Sequence, residues 1–352
     1  MVIDLYFTII LLITTVSVLL QCYLLFMLIY ASPKSMVTYK YYLCVISVWD
    51  LLFAALLGYG LHPKVLFPYG CASVNGFFQY FGQTGAKVGM SMVLFTAVCV
   101  IMAEVNCLLY RMTVILSDQR IHEWYLKPVC VIFIQIVILG MASAYGIRLF
   151  DIFLDGQQIP EWLQRYSLVW PVPPPSNDTI LLAIEFDPAF TKTHSRASAL
   201  TTTIGICTLE LLCGSMTFFI IRTLRKTAHM YSRKTYKLQI QLTLLLLAQL
   251  ASPVVFFLIP VVYAMGCGLI DCGTNNSLTG EIGMIMITLY ALSNPLLTIS
   301  FVTPYRSYTR GKLGSICIPF GTRIRHSMPK ERSHSDIRVI RSNSTSVQNT
   351  VI

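Results

Sequence analysis

Four ionisable residues interrupt long apolar runs: Asp50, Lys87, Glu104 and Glu210. A charge in such a place costs several kcal/mol unless it is paired or hydrated, so each marks a site where chemistry or a structural contact offsets that cost. Glu104 is followed two helical turns later, on nearly the same face, by Arg111. That pair is either part of a switch network or a static hydrogen-bonded contact. Around Lys87, the residues Gln83, Ser91 and Phe95 recur at helical spacing. They either line a cavity for a small ligand, or Lys87 simply extends its ammonium to the nearby edge of the apolar zone. On the cavity reading, Tyr263 and Glu281 complete the contact set from two later helices. Catalysis has no comparable signature. The chain lacks a Gly-rich phosphate loop with its Lys, a His-Glu-x-x-His pair and a nucleophile elbow. Its six histidines are scattered over separate segments, which predicts no metal site, no cofactor and no enzyme.

The elements that must position these residues follow from composition. Of 352 residues, 55% are hydrophobic and only 12% charged, with a mean hydropathy of +0.66. Soluble domains carry about 25% charged residues, so a water-soluble fold is excluded. A helix needs about 20 apolar residues to cross a bilayer. Seven windows meet that length: Leu5–Ala31, Tyr42–Leu61, Thr84–Tyr110, Pro128–Gly146, Ser198–Ile221, Leu238–Ala264 and Ile282–Val302. The expected fold is an all-α membrane protein, a seven-transmembrane helix bundle over residues 1–310 followed by a basic, disordered tail over 311–352. The first run lacks a basic start and is too long for a cleaved leader, so it reads as a retained anchor.

Lys and Arg set the orientation. With the N-terminus outside, the four inner segments hold two, three, six and nine of them, and the outer loops five. The N-terminus is therefore expected to be extracellular and the C-terminus cytoplasmic. The basic residues are those of a topogenic pattern rather than a nucleic-acid face. Six of the inner charges crowd one connection, among them Arg225, Lys226, Arg233 and Lys234.

Outside the spans, the longest loop, Ile147–Ala197, carries the semi-rigid run Trp170-Pro-Val-Pro-Pro-Pro175. Asn177 and Asn275 head glycosylation sequons on the outer side, and Asn343 heads one on the inner side. Most of the 11 cysteines lie in apolar runs as small hydrophobes. Cys71, Cys267 and Cys272 fall in outer loops and are disulfide candidates, with the pairing open. Tyr305–Lys312 is expected to form a short helix along the inner leaflet, and nearby Cys317 is a palmitoylation candidate.

Several local motifs then narrow the reading. Ser32-Pro33-Lys34 follows the first run, Trp49-Asp50 sits in the second, and His62-Pro63 with Pro68-Tyr69-Gly70 follows it. Ser232–Gln239, Gln249–Pro253, Ile259-Pro260 and Thr303-Pro304-Tyr305-Arg306 mark the sixth and seventh. Together these resemble the nematode serpentine chemoreceptors, G-protein-coupled receptors of the Str superfamily, most closely its Srh- and Sri-type members. The resemblance covers about residues 5–310. It implies an odorant-like small-molecule ligand, a heterotrimeric G protein, and residence in the plasma membrane of chemosensory neurons, in sensory cilia. The chain departs from rhodopsin-like receptors: Tyr110-Arg111-Met112 replaces Asp-Arg-Tyr, and no tyrosine follows Asn294-Pro295 at the usual spacing. Two other readings stand beside this one, a seven-span transporter or channel and a receptor-like partner without a ligand.

Overall fold

The computed structural model describes residues 5–32, 37–66, 71–115, 119–167, 180–184, 194–226, 233–263 and 277–316. Besides a 3-10 turn at Phe77–Phe81 before the third helix, a further helical stretch over 259–263 and a small sheet, ten α-helices of seven residues or more lie among the described residues. They are α1 (Leu5–Tyr30), α2 (Val37–Ala55), α3 (Gly82–Ile115), α4 (Gln119–Tyr125), α5 (Pro128–Ile152) and α6 (Ile159–Ser167). They continue with α7 (His194–Lys226), α8 (Arg233–Pro253), α9 (Ser277–Phe301) and α10 (Thr303–Ile316). Seven are long and apolar enough to cross a membrane: α1, α2, α3, α5, α7, α8 and α9. The chain divides into a unit of residues 1–311 and a second of 312–352. Of the second, residues 312–316 are described, as the last part of α10.

The helices end where local chemistry permits. Pro128 sits at the first turn of α5, where its missing N–H costs nothing. Two of the spans widen into π-helical turns, α2 over Leu56–Leu61 and α8 over Val254–Leu258, directly after Pro253. Proline cannot supply the helical N–H, so the backbone beyond it re-registers. His62 closes the first π segment in the left-handed conformation (φ 46°), its N–H bonded to Leu57 O at 2.9 Å, and turns the chain into the sheet.

Burial orders the bundle. α3 is buried along most of its length, and α5 faces outward along most of its own. The larger core cluster joins Leu24, Tyr42, Cys107, Ile220, Leu245 and Tyr305 toward one end, and a second joins Tyr6, Phe53, Leu61, Ala86 and Tyr290 toward the other. α1 and α2 meet at Gly58, where an added Cβ would stand 2.0 Å from Thr14 Oγ1. Small residues permit such approaches between membrane helices. Gly58→Leu is expected to cost about 3 kcal/mol through overpacking. Detergent-solubilised protein should show a lower melting temperature, and an unchanged one would refute the close approach.

The sheet departs from the expected all-helical plan. β1 (Pro63–Leu66), β2 (Cys71–Val74) and β3 (Ile180–Ala183) pair antiparallel in that order, with Lys64 opposite Ser73 and Ala72 opposite Leu182. Phe153 adds a bridge to Ile184. Read as loop in the sequence, these segments are too short to show a period, but their runs are apolar and β2 is buried throughout. α5 likewise continues to Ile152 beyond the expected Gly146, because Arg148 and Asp151 end the apolar window without ending the helix. α10 runs to Ile316, four residues past the expected Lys312. Residues 168–179, with the proline run and Asn177, lie outside the described residues, as do Cys267, Cys272, Asn275, Cys317 and Asn343.

Candidate functional site

Midway along the bundle, four spans each contribute a buried polar side chain. Asp50 on α2, Glu104 on α3, Glu210 on α7 and Asn294 on α9 are all buried. The amide of Asn294 donates to Asp50 Oδ2, and it stands 3.5 Å from Glu104 Oε1. Glu104 is within electrostatic reach of both Asp50 and Glu210. Gln249 on α8 donates to Thr298 Oγ1 at 3.2 Å, and Thr298 Oγ1 donates to Asn294 O at 3.0 Å. Gln21 on α1 borders Asp50, so the seam touches six spans. One amide thus serves two acids in a low-dielectric interior, where a polar group lacking a partner is costly. Such an arrangement carries no nucleophile–base pair. No group of three metal-ligating side chains occurs among the described residues.

Nearer the end bearing Arg225 and Lys226, Arg111 is buried on its own. Its guanidinium hydrogen-bonds Gln239 Oε1 and lies 4.4 Å from the ring centre of Tyr39. Glu104 and Arg111, joined in the sequence reading, therefore sit in separate layers. Seven helical residues rise about 10.5 Å, more than two side chains bridge when each already has a nearer partner. Arg225 and Lys226 are exposed in the last turn of α7. Arg233 and Lys234 begin α8, and only their backbone is described.

At the sheet end, α3 is tied to the connection that follows α5. Lys87 is 6% exposed, and its ammonium donates to Phe153 O at 3.0 Å and to Asp155 Oδ1 at 2.6 Å. Gln83 Nε2 donates to Leu181 O of β3 at 2.8 Å. Lys87 therefore ties α3 to the connection after α5 rather than reaching for the edge of the apolar zone. Ser91 is close to Gly146 of α5, and Phe95 meets Trp49 edge-on at 5.9 Å. Glu281 pairs instead with Lys64 of β1 at 3.2 Å, beside the rings of Tyr6 and Phe7. Tyr263 is half exposed at the end of the membrane-capable span Tyr236–Tyr263 that α8 begins. Of the six expected contact residues, Gln83, Lys87, Ser91 and Phe95 thus lie along α3, Glu281 lies beside β1 and α1, and Tyr263 lies on the sixth span.

Cys71 is a free, buried thiol, with Sγ 3.9 Å from Leu66 O and with Trp162 and Ala183 packed around it. Burial pushes this thiol up to about 12, away from the reactive thiolate. Sequence reasoning missed Asp155 and Lys64, since nothing local links Asp155 to a lysine 68 residues earlier. It noted Asn294 only through its proline, although a carboxamide in an apolar run was signal enough.

The tie gives a specific expectation. Lys87→Met leaves a buried carbonyl unsatisfied, at about 1–3 kcal/mol. Asp155→Asn should cost less than about 1 kcal/mol, because the carboxylate is 78% exposed. Limited proteolysis near 155–158 should accelerate about tenfold for the lysine variant and hardly at all for the other. Equal rates in both variants would show that Lys87 holds nothing in place.

A family model described as "Serpentine type 7TM GPCR chemoreceptor Srh" matches residues 3–315, spanning every helix above but for the last residue of α10. No curated protein matches the chain. The family is one of receptors rather than enzymes, and with seven membrane-capable helices the chain is a multi-pass membrane protein. The chain belongs to the Srh family of serpentine seven-transmembrane chemoreceptors, G-protein-coupled receptors of the nematode Str superfamily.

Proposed function

We propose that this receptor binds an odorant-like small molecule from outside the cell and signals to a heterotrimeric G protein. The sheet end faces outward, and the basic end faces the cytosol of a chemosensory neuron, in the plasma membrane of its cilium. The ligand contacts the Gln83–Phe95 face of α3 and the outer ends of the sixth and seventh spans near Tyr263 and Glu281. Glu104 and Arg111 form two layers of the switch, and Arg225, Lys226, Arg233 and Lys234 present the coupling surface. The observation that carries this reading is the buried seam of Asp50, Glu104, Glu210 and Asn294. It joins helices that run from the capped end to the basic end, so a shift of one span must re-pair polar groups on the others.

Odorant panels applied to a heterologous cell, with and without a matched G protein, test the proposal. A second-messenger change that needs the G protein supports it. A current or solute flux independent of the G protein would favour the transporter reading, and Asp50, Glu104 and Glu210 would then line the path.

Orientation has its own test. Asn177 should carry a glycan and Asn343 none, because the transferase acts on one side of the membrane. Asn177→Gln should reduce the mobility shift on glycosidase treatment, and Asn177→Gln combined with Asn275→Gln should abolish it. A shift that depends on Asn343 would invert the topology.

A further inference from the structure

Between α8 and α9 a groove of about 390 Å³ opens on the outer flank of the bundle. That volume lies in the range of small-molecule sites, about 300–1,000 Å³. Its origin is local. Pro253 and the π turn Val254–Leu258 widen α8, Pro295 removes a backbone donor inside α9, and Ala248 and Ala251 leave the wall low. Wide π turns inside α-helices frequently accompany functional sites.

The lining defines what fits. It holds no charged side chain, so the occupant is neutral. Ala251, Val255 and Leu296 are exposed along the groove on helices that cross the membrane, so the occupant arrives from the acyl chains rather than from water. On the floor, the hydroxyls of Ser252 and Ser293 are hydrogen-bonded to one another. Ser293 Oγ also donates to Tyr290 O at 2.7 Å, which spends its proton. Ser252 must then donate to Ser293, and Ser252 Oγ keeps its lone pairs for an incoming donor. The complement is a molecule with one O–H on an apolar body.

We propose that the α8–α9 groove is a lateral binding site for a neutral apolar alcohol that partitions into the bilayer. Gln249 stands three residues before Ser252, and Asn294 directly follows Ser293, so an occupant presses on turns that also hold the acid seam. Binding stands on the groove alone. Its effect on signalling rests on the receptor reading above.

Purified receptor in phosphatidylcholine nanodiscs, without G protein, is photolabelled with a diazirine-bearing octanol, and the adducts are mapped by mass spectrometry. A diazirine-bearing octane lacking the hydroxyl is run in parallel. Expected are saturable octanol adducts at residues 251–256 and 293–297, displaced by excess unlabelled octanol. Ser252→Ala should weaken the octanol midpoint about fivefold and leave the octane probe unchanged. Ala251→Phe, which fills the groove from its exposed wall, should reduce both probes at least tenfold, with an unchanged size-exclusion profile. Labelling that does not saturate, or that matches the rest of the lipid face, would assign the groove to acyl chains and overturn the proposal. So would labelling indifferent to Ala251→Phe. Because G protein is omitted, a failure here leaves the coupling reading untouched, and a success does not establish it.

Discussion

Asn294→Ala is expected to remove most of the receptor from the cell surface. The variant deletes the amide that donates to Asp50 and faces Glu104, leaving two buried acids without their shared donor. Each buried polar group left without its partner costs about 1–3 kcal/mol, so the loss is about 3 kcal/mol, a large share of a typical folding free energy. The melting temperature of solubilised protein should fall together with surface level. Asn294→Asp should be at least as damaging, since it places a third acid against Asp50 and Glu104. The exchange Asp50→Asn with Asn294→Asp restores one amide–acid pair and should recover part of the loss, giving a non-additive cycle. Additive damage in the double variant, or an undisturbed Asn294→Ala, would mean that the seam does not hold the spans together.

The second large effect concerns coupling. Replacing Arg225, Lys226, Arg233 and Lys234 with Gln should abolish the second-messenger response while leaving surface level and ligand binding in place. Part of this charge density is topogenic, and anionic headgroups attract each Lys or Arg by about 1 kcal/mol. Arg222 and Lys237 are kept for that reason, as anchors of orientation. Arg225 and Lys226 are exposed at the end of α7, free to meet a docking partner. A normal response at normal surface level would leave these charges with a topogenic role only.

Much of the architecture was legible because bilayer thickness imposes a length. Each of the seven windows contains or overlaps a span of the structure, and the errors fall at the ends. Hydropathy stops where a polar residue such as Arg148 appears, whereas a helix stops where backbone hydrogen bonds run out, so α5 was read short. β2 and β3 escaped for another reason. Four-residue strands show no period, and the pairing of Ala72 with Leu182 spans more than a hundred residues that carry no local trace of it. The site was legible by residue and not by partner. Lys87, Glu104 and Asp50 announced themselves as ionisable groups in apolar runs. That Lys87 would bond Phe153 O and Asp155, and that Glu104 would face Asn294 rather than Arg111, depends on how helices pack, which spacing along one helix cannot show.

Nucleotide exchange on purified heterotrimeric G protein, driven by the receptor in nanodiscs, tests the central claim most directly. The assay titrates a panel of volatile alcohols, ketones, esters and short-chain acids against the intact chain and the four-Gln variant. The account predicts that at least one compound accelerates exchange saturably through the intact chain, by about tenfold or more, and not through the variant. A compound that binds the folded receptor saturably, yet leaves exchange at its basal rate on every class of G protein supplied, would contradict it.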